Sequence, residues 1–267
     1  MRINSVINFN QPKYNPCFNS YSEKKLADDY SFYTTTTFFR NDLDWDSFVR
    51  YIDEMYKADD KVNIVCHACS NGEEAYSLAA KLITVLGEKA KKFFPIIAKD
   101  LDYENIDLAK RGLFQVTDDE LRTMRWQTGY NLERYFDVLS KKGEKLIDIA
   151  VRPELKDKVI FSQGNILEDV EKLPNENTIL LCRNFWPYLP KESVLELAQK
   201  LGKILTKSCS IVLGNFDMFN GWPNKHLYEN GFFDSEIYGM FTKDSSGRKK
   251  SEDLVQYFYE SLKYRKF

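Results

Sequence analysis

The chain has 267 residues, enough for one sizeable α/β domain with embellishments or for two small domains sharing a cleft. Hydrophobic residues make up 43% and charged residues 29%, which excludes a disordered chain, and no apolar run approaches the ~18 residues of a membrane span. The formal net charge of −2 comes from interspersed acids and bases, so no global basic field draws the chain to nucleic acid or into a membrane.

Residues 1 to 28 read as a polar N-terminal arm, rich in Asn, broken by Pro12 and Pro16, and without the apolar centre of a signal peptide. A cytoplasmic protein is expected. The five cysteines, Cys17, Cys66, Cys69, Cys182 and Cys209, are odd in number and mostly sit in or beside apolar runs, so reduced, buried thiols are expected. Cys66-x-x-Cys69 lacks a second cysteine pair, and no metal is expected.

From Asp29 onward the pattern tightens into an expected single domain over 29 to 267. Tyr30 to Tyr33 leads into Thr34-Thr-Thr-Thr-Phe-Phe-Arg40, and a helix is predicted through Trp45 to Ile52. Lys61 to Cys66 is β-rich, and Glu73 to Leu86 places Ala75, Leu78, Ala79, Leu82 and Leu86 at helical spacing. A second strand and helix follow: Phe94 to Ala98, then Glu104 to Arg111 closed by Gly112. Residues 113 to 158 look irregular and charged, with room for a small inserted subdomain. Strands return at Val159 to Phe161, Thr178 to Cys182 and Ser210 to Leu213, with a helix over Lys191 to Leu205. Such alternation predicts an α/β fold with a mainly parallel sheet covered on both faces. Ligands then bind beyond the carboxyl ends of the strands.

The loop Cys66-His-Ala-Cys-Ser-Asn-Gly-Glu-Glu74 opens a helix, where backbone N–H groups can receive a polar ligand. One glycine, Gly72, fits a dinucleotide pyrophosphate poorly, and Glu73 and Glu74 repel phosphate but attract a cation. A sulfonium with an amino-acid tail satisfies both conditions; simple helix capping by the two glutamates is the competing explanation. Asp100 follows the second strand, where a carboxylate can accept from both ribose hydroxyls. Asn165 and Asn184 follow later strands, where an amide can meet an adenine edge or an amino-acid tail, although each residue also suits a turn.

Read in order, these pieces resemble the CheR family of protein-glutamate O-methyltransferases. Thr36-Thr-Phe-Phe-Arg40 is similar to that family's T-x-F-F-R, Ala68-Cys-Ser-Asn-Gly-Glu-Glu-Ala-Tyr-Ser77 to its C-S-T-G-E-E-P-Y-S loop, and Ala98-Lys-Asp-Leu-Asp102 to A-T-D-I-D. Arg134-Tyr-Phe136, Asn165-Ile-Leu167 and Cys182-Arg-Asn-Phe-Trp-Pro-Tyr188 extend the likeness over roughly residues 30 to 215.

The resemblance implies a Rossmann-like methyltransferase fold, S-adenosyl-L-methionine as donor and S-adenosyl-L-homocysteine as product. Thr34, Thr36, Arg40, Cys69, Gly72, Glu73, Glu74, Asp100, Leu101, Asn165, Ile166, Asn184 and Phe185 are the donor-binding residues it implies. Arg40 and Tyr188 are the implied catalytic residues, and either Glu73 or Glu74 holds the donor's amino-acid portion. Because a glutamate acceptor is already ionised, the chemistry needs alignment more than a base, and His67 is not required as one.

The implied partner is a protein substrate such as the cytoplasmic helices of a chemoreceptor, met by a monomer. The family's helical N-terminal domain is not recognisable before Thr36. Ala75 stands in place of the family's Pro, Phe185-Trp-Pro187 in place of smaller aliphatic residues, and Asn215-Phe-Asp217 in a loop expected to shape acceptor specificity. Another protein or a small carboxylic acid as acceptor, or a non-catalytic donor-binding module, are the alternative readings.

Overall fold

A computed structural model describes residues 36–139, 146–219 and 222–243, all within one unit that starts at Thr36. The expected polar arm, Cys17 and Thr34 lie outside the described residues.

In chain order, α1 (Trp45–Met55) is capped by Asp44, whose carboxylate accepts from Ser47 N, and it buries Trp45, Phe48, Val49 and Ile52. Strand β1 (Asn63–His67) leads to α2 (Glu73–Leu86), β2 (Ile96–Asp100) and α3 (Tyr103–Arg111). Then come β3 (Leu113–Val116), α4 (Asp118–Gln127), β4 (Phe136–Val138), β5 (Ile147–Val151) and α5 (Pro153–Lys156). The chain returns to the main sheet through β6 (Val159–Gln163), α6 (Ile166–Asp169), β7 (Thr178–Leu181), α7 (Lys191–Ile204) and β8 (Ser210–Val212). It ends with α8 (Asn215–Phe219), α9 (Trp222–Glu229), β9 (Phe233–Asp234) and β10 (Met240–Thr242).

Seven strands form one sheet in the order β6-β2-β1-β7-β8-β10-β9. The first five are parallel, and at one edge β10 pairs antiparallel with both β8 and β9. The central strands β1 and β7 are apolar nearly throughout because both their faces are covered. On one face Ile64, Cys66, Ile96 and Ala98 pack with α1 and α2. On the other Val65, Leu180, Cys182 and Ile211 pack with α7 and Leu227 of α9. The predicted α/β architecture is borne out. Strands β1 and β2 run on to His67 and Asp100, each beyond its predicted end, because parallel pairing of Cys66–His67 with Ala98–Lys99 continues past the apolar run.

Residues read as irregular, from 113 on, contain a second sheet of order β3-β5-β4, all antiparallel. Its inner residues Phe114, Val116, Phe136, Ile149 and Val151 join the same core as α1 and α2. Helix α4 escaped the sequence reading because its first turn is Asp118-Asp119-Glu120, capped by Thr117, which looks like a charged loop while Leu121 and Met124 turn inward. Lys81 of α2, buried, ties the layers together by pairing with Asp46 at 2.7 Å and donating to the carbonyl of Gln127 at 3.2 Å. His226 lies on α9. Pro223 falls in its first turn, where a missing N–H costs nothing.

Ile64 sits on β1 in the middle of the sheet and is fully buried. Ile64→Ala is expected to lower the unfolding free energy by about 3 kcal/mol, read as a shifted urea midpoint with an unchanged slope.

Candidate active site at the carboxyl ends of the strands

The loop after β1 turns sharply by placing Ala68, Ser70 and Gly72 at φ of 55°, 49° and 94°. Left-handed conformations are costly for Ala and Ser, so something must hold them. Cys69 N donates to Lys99 O at 3.0 Å, Gly72 N to Cys69 O at 3.0 Å, and Ser70 N to Asp100 Oδ2 at 2.7 Å. Gly72 also lies so close to α3 and β6 that a Cβ would meet Ala109 and Phe161 at 2.9 Å. Asp100 is thus first a fastener of the loop: its other oxygen accepts from Asp102 N at 3.0 Å and Asn105 Nδ2 at 3.2 Å. These bonds leave acceptor capacity for a further hydroxyl. Burial raises its carboxyl above the ordinary value despite the three donors. Leu101 beside it is 46% exposed.

The two glutamates at the head of α2 have opposite fates. Glu74 Oε2 receives Arg183 Nη1 at 2.6 Å, and Arg183 Nη2 pairs with Asp42. The Arg183 side chain is 1% exposed and lies over the Trp45 ring at 5.6 Å. Asp42 further accepts from Asn184 Nδ2 at 3.0 Å and Asn215 N at 3.2 Å. Burial opposes the charge on Asp42, but Arg183 and these donors outweigh it and hold the carboxyl below its ordinary value. Glu73 is 9% exposed and its Oε2 has no hydrogen-bond partner. Burial pushes its carboxyl up to about 8, with Glu120 adding to the rise and Arg40 opposing it.

Thr36 and Arg40 are half-buried and are set by the two phenylalanines between them. Phe38 and Phe39 are buried, Phe38 N donates to Glu120 Oε1 at 2.8 Å, and Phe39 N to Ser77 Oγ at 2.9 Å. The Arg40 carbonyl accepts from Trp45 Nε1 at 3.0 Å, and its guanidinium lies near enough to favour the charged forms of Asp42, Glu73 and Glu74.

Beyond β7, Asn184 adopts φ 61° and spends both ends of its amide on protein: Nδ2 on Asp42, Oδ1 on Phe216 N at 2.9 Å. A Cβ at Gly214 would overlap the Asn184 amide as it stands, so a side chain there would displace it. Asp217, fully buried, gathers the N–H groups of Asn184, Trp186 and Gly214. Burial nonetheless lifts its carboxyl to about 7. Phe185 is half-buried against Trp186, and Tyr188, 42% exposed, tilts against Phe216 at 5.6 Å. Asn165 caps α6, accepting from Leu167 N at 3.1 Å and donating to Glu168 Oε1 at 3.1 Å, and Ile166 is buried in the second core cluster.

Thr36, Arg40, Glu73, Asp100, Asn165 and Asn184 are all placed by loops at the carboxyl end of the sheet or the segment before α1. Asp42, Arg183 and Glu120 were given no role by the sequence, and Asp217 entered only as part of the loop over 215–217. Arg183 had a signal, an arginine two positions after the buried strand β7; Asp42 had none, since its partners lie more than a hundred residues away.

Cys66, Cys69 and Cys182 are buried thiols that burial holds well above the ordinary value, so none is a nucleophile at neutral pH. His67 is 2% exposed and shares a groove of about 250 Å³ with Val65, Ile97, Lys99 and Asp169. Burial, then Lys99, lowers its pKa to about 4, which keeps the imidazole neutral.

A family model described as "CheR methyltransferase, SAM binding domain" matches residues 34–231. The chain belongs to the CheR methyltransferase family. Among curated relatives of this CheR-family chain, the chemotaxis protein methyltransferase of Salmonella typhimurium is 31% identical over 153 residues, which is 57% of this chain and 50% of that protein. Chemotaxis protein methyltransferase 1 of Pseudomonas aeruginosa is 28% identical over 183 residues, 66% of this chain and 63% of that protein. The chain thus spans about half to two thirds of the length of the curated relatives it matches. A TehB-like SAM-dependent methyltransferase from Corynebacterium glutamicum aligns with 73% of this chain and 86% of its own at 13% identity and a TM-score of 0.38.

The CheR-family site has the groups that an S-adenosyl ligand requires. An unpartnered buried carboxylate oxygen on Glu73 suits an ammonium, Asp100 retains acceptor capacity for a ribose, and exposed Leu101 offers an apolar surface to a base.

Arg183→Met leaves Asp42 and Glu74 as facing carboxylates without their cation, and a loss of about 3–5 kcal/mol is expected in urea unfolding. For His67 the folded pKa lies below the unfolded one, so its neutral state supports the fold fully above pH 6.5, and that support is lost as pH falls towards 4. Wild type is therefore expected to lose more stability than His67→Gln between pH 7.5 and 5, compared by urea midpoints at both pH values.

Proposed function

We propose that this chain is an S-adenosylmethionine-dependent methyltransferase that esterifies glutamate side chains of a chemoreceptor-like protein, acting as a cytoplasmic monomer. The observation that carries this reading is the charge layout at the carboxyl end of the sheet. Glu73 offers an unpartnered oxygen at the head of α2, Glu74 is engaged by Arg183, and Arg40 stands beside both. In this reading Glu73 takes the donor's ammonium, Asp100 the ribose, and Leu101, Ile166 and Phe185 the adenine. Thr36 and the backbone of Cys69 and Gly72 line the amino-acid and sulfonium side. The Asn165 and Asn184 amides act mainly by shaping their loops, because their polar ends already bond within the protein.

When bound, the donor supplies an electrophilic methyl on a sulfonium. A glutamate carboxylate is ionised at neutral pH, so the residues need only orient and desolvate it for an in-line displacement. Arg40 can hold one carboxylate oxygen while the other faces the methyl. Tyr188 and Phe216, in ring contact, form an aromatic edge beside which the aliphatic stem of the acceptor can lie. The receptor-type acceptor is favoured by the chemotaxis methyltransferases among its relatives.

Arg40→Ala is expected to depress kcat on the order of 10²-fold while donor Kd changes little. Calorimetry with S-adenosylhomocysteine and labelled-methyl transfer to receptor cytoplasmic fragments measure the two quantities. Normal turnover in the variant removes Arg40 from the mechanism; no binding of donor or product by wild type removes the proposed activity.

A further inference from the structure

The crossover from β6 to β7 covers its face of the sheet poorly. It contributes the four-residue α6 and the three-residue turn Val170–Lys172, where α2 and α7 have 14 residues each. Val65, Ile97 and Ile160 are register partners on β1, β2 and β6, so their side chains share that face. Val65 is 4% exposed there and Ile160 50%, a passage from core to open surface. The groove that holds His67 runs along this face, with Val65 and Ile97 in its floor and Leu173 and Pro174 in its wall. Its charged lining is Lys61, Lys99 and Lys172 against one carboxylate, Asp169.

Strand β10 runs antiparallel to β8, so Lys243 leaves the sheet at the amino ends of the parallel strands, the edge at which Lys61 and Pro95 open the groove. The face is also the same. Phe241 belongs to the core cluster of Val65 and Leu180, and Lys243 Nζ donates to the Gly202 carbonyl of α7. The sequence after Lys243 lies outside the described residues and begins Asp244-Ser-Ser-Gly-Arg-Lys-Lys250. Fully extended, that stretch reaches ~23 Å, whereas the three strand spacings from β10 to β1 amount to ~14 Å. Next, Leu254, Phe258 and Leu262 recur every fourth residue with Val255 and Tyr259 beside them, the spacing of an apolar helical stripe. Between 251 and 262 the charged residues are Glu252, Asp253 and Glu260, with no base among them, opposite in sign to the groove's excess of lysine.

We propose that residues 251–262 of this chain seat in the groove as an amphipathic helix, stripe against Ile97 and Leu173, acids toward Lys61 and Lys172. The lengths agree: such a helix is ~18 Å long, and Asn63 to His67 along β1 is ~13 Å. The segment then closes the face that the short crossover leaves open. It also backs His67 and Lys99, and the Lys99 carbonyl holds Cys69 N in the loop after β1.

The test is carbodiimide coupling of the full chain, mixed in equal parts from unlabelled and heavy-isotope preparations, with linked peptides read by mass spectrometry. Links from Glu252, Asp253 or Glu260 to Lys61 or Lys172 are expected, with both peptides of each pair carrying the same isotope. In the double variant Phe258→Asp, Leu262→Asp, which removes the stripe and keeps the three acids, their yield is expected to fall by at least about tenfold. The variant alters no described residue, and cooperative urea unfolding reports that the domain persists. Absence of these links in wild type overturns the proposal. Pairs of mixed isotope overturn it in favour of a second copy's segment in the groove. Links that persist at full yield in the variant overturn it as well, because tethering alone then brings the acids to the lysines.

Discussion

The site depends on one buried ion triad, Arg183 between Asp42 and Glu74. A guanidinium with 1% of its side chain exposed is stable only where its planar donors meet carboxylates. The two it meets come from distant parts of the chain: Asp42 from the segment that carries Thr36 and Arg40, Glu74 from the head of α2. Arg183 itself leaves β7, the neighbour of β1 in the sheet. One side chain thereby registers three segments against each other. Asp42 passes the constraint on to Asn184 and Asn215, and Asp217 gathers the backbone of the same turn.

That arrangement also divides labour between adjacent glutamates. Had Glu74 been free, two acids would compete for any cation at the head of α2 and repel each other when both were charged. Pairing Glu74 with Arg183 removes it from contention and lets Glu73 stand alone in an environment tuned by burial. Asp100 shows the reverse economy: one carboxylate secures Ser70 N in a costly left-handed turn and still presents acceptor capacity outward.

Much of the scaffold was legible because periodicity reports burial directly. Helix α2 runs from Glu73 to Leu86 as its apolar spacing predicts, and Gly112 ends α3 in a left-handed cap. Legibility failed where polar signals served local structure. Thr117 with three acids is a helix start that looks like a charged loop, and Pro223 marks the first turn of α9 that looks like a break. The site was legible as a set of post-strand positions but not as a network. No single-residue argument distinguishes an Asn that meets a ligand from one that caps a helix, as Asn165 does, or bridges a carboxylate and a backbone N–H, as Asn184 does. Asp42 and Arg183 are 141 positions apart, beyond any local pattern.

The contact between Gly214 and Asn184 has a consequence for how such a chain can diversify. Since no side chain fits at 214 while the Asn184 amide occupies that space, the two positions form a single unit of variation. A lineage altering the turn after β8 must first surrender the amide after β7, and with it a donor to Asp42. The neighbouring Phe216 and Tyr188 side chains are 43% and 42% exposed and pack against each other at the surface. Exchange of either ring at this surface leaves the Asn184 amide against Gly214 and its hydrogen bond to Asp42 in place.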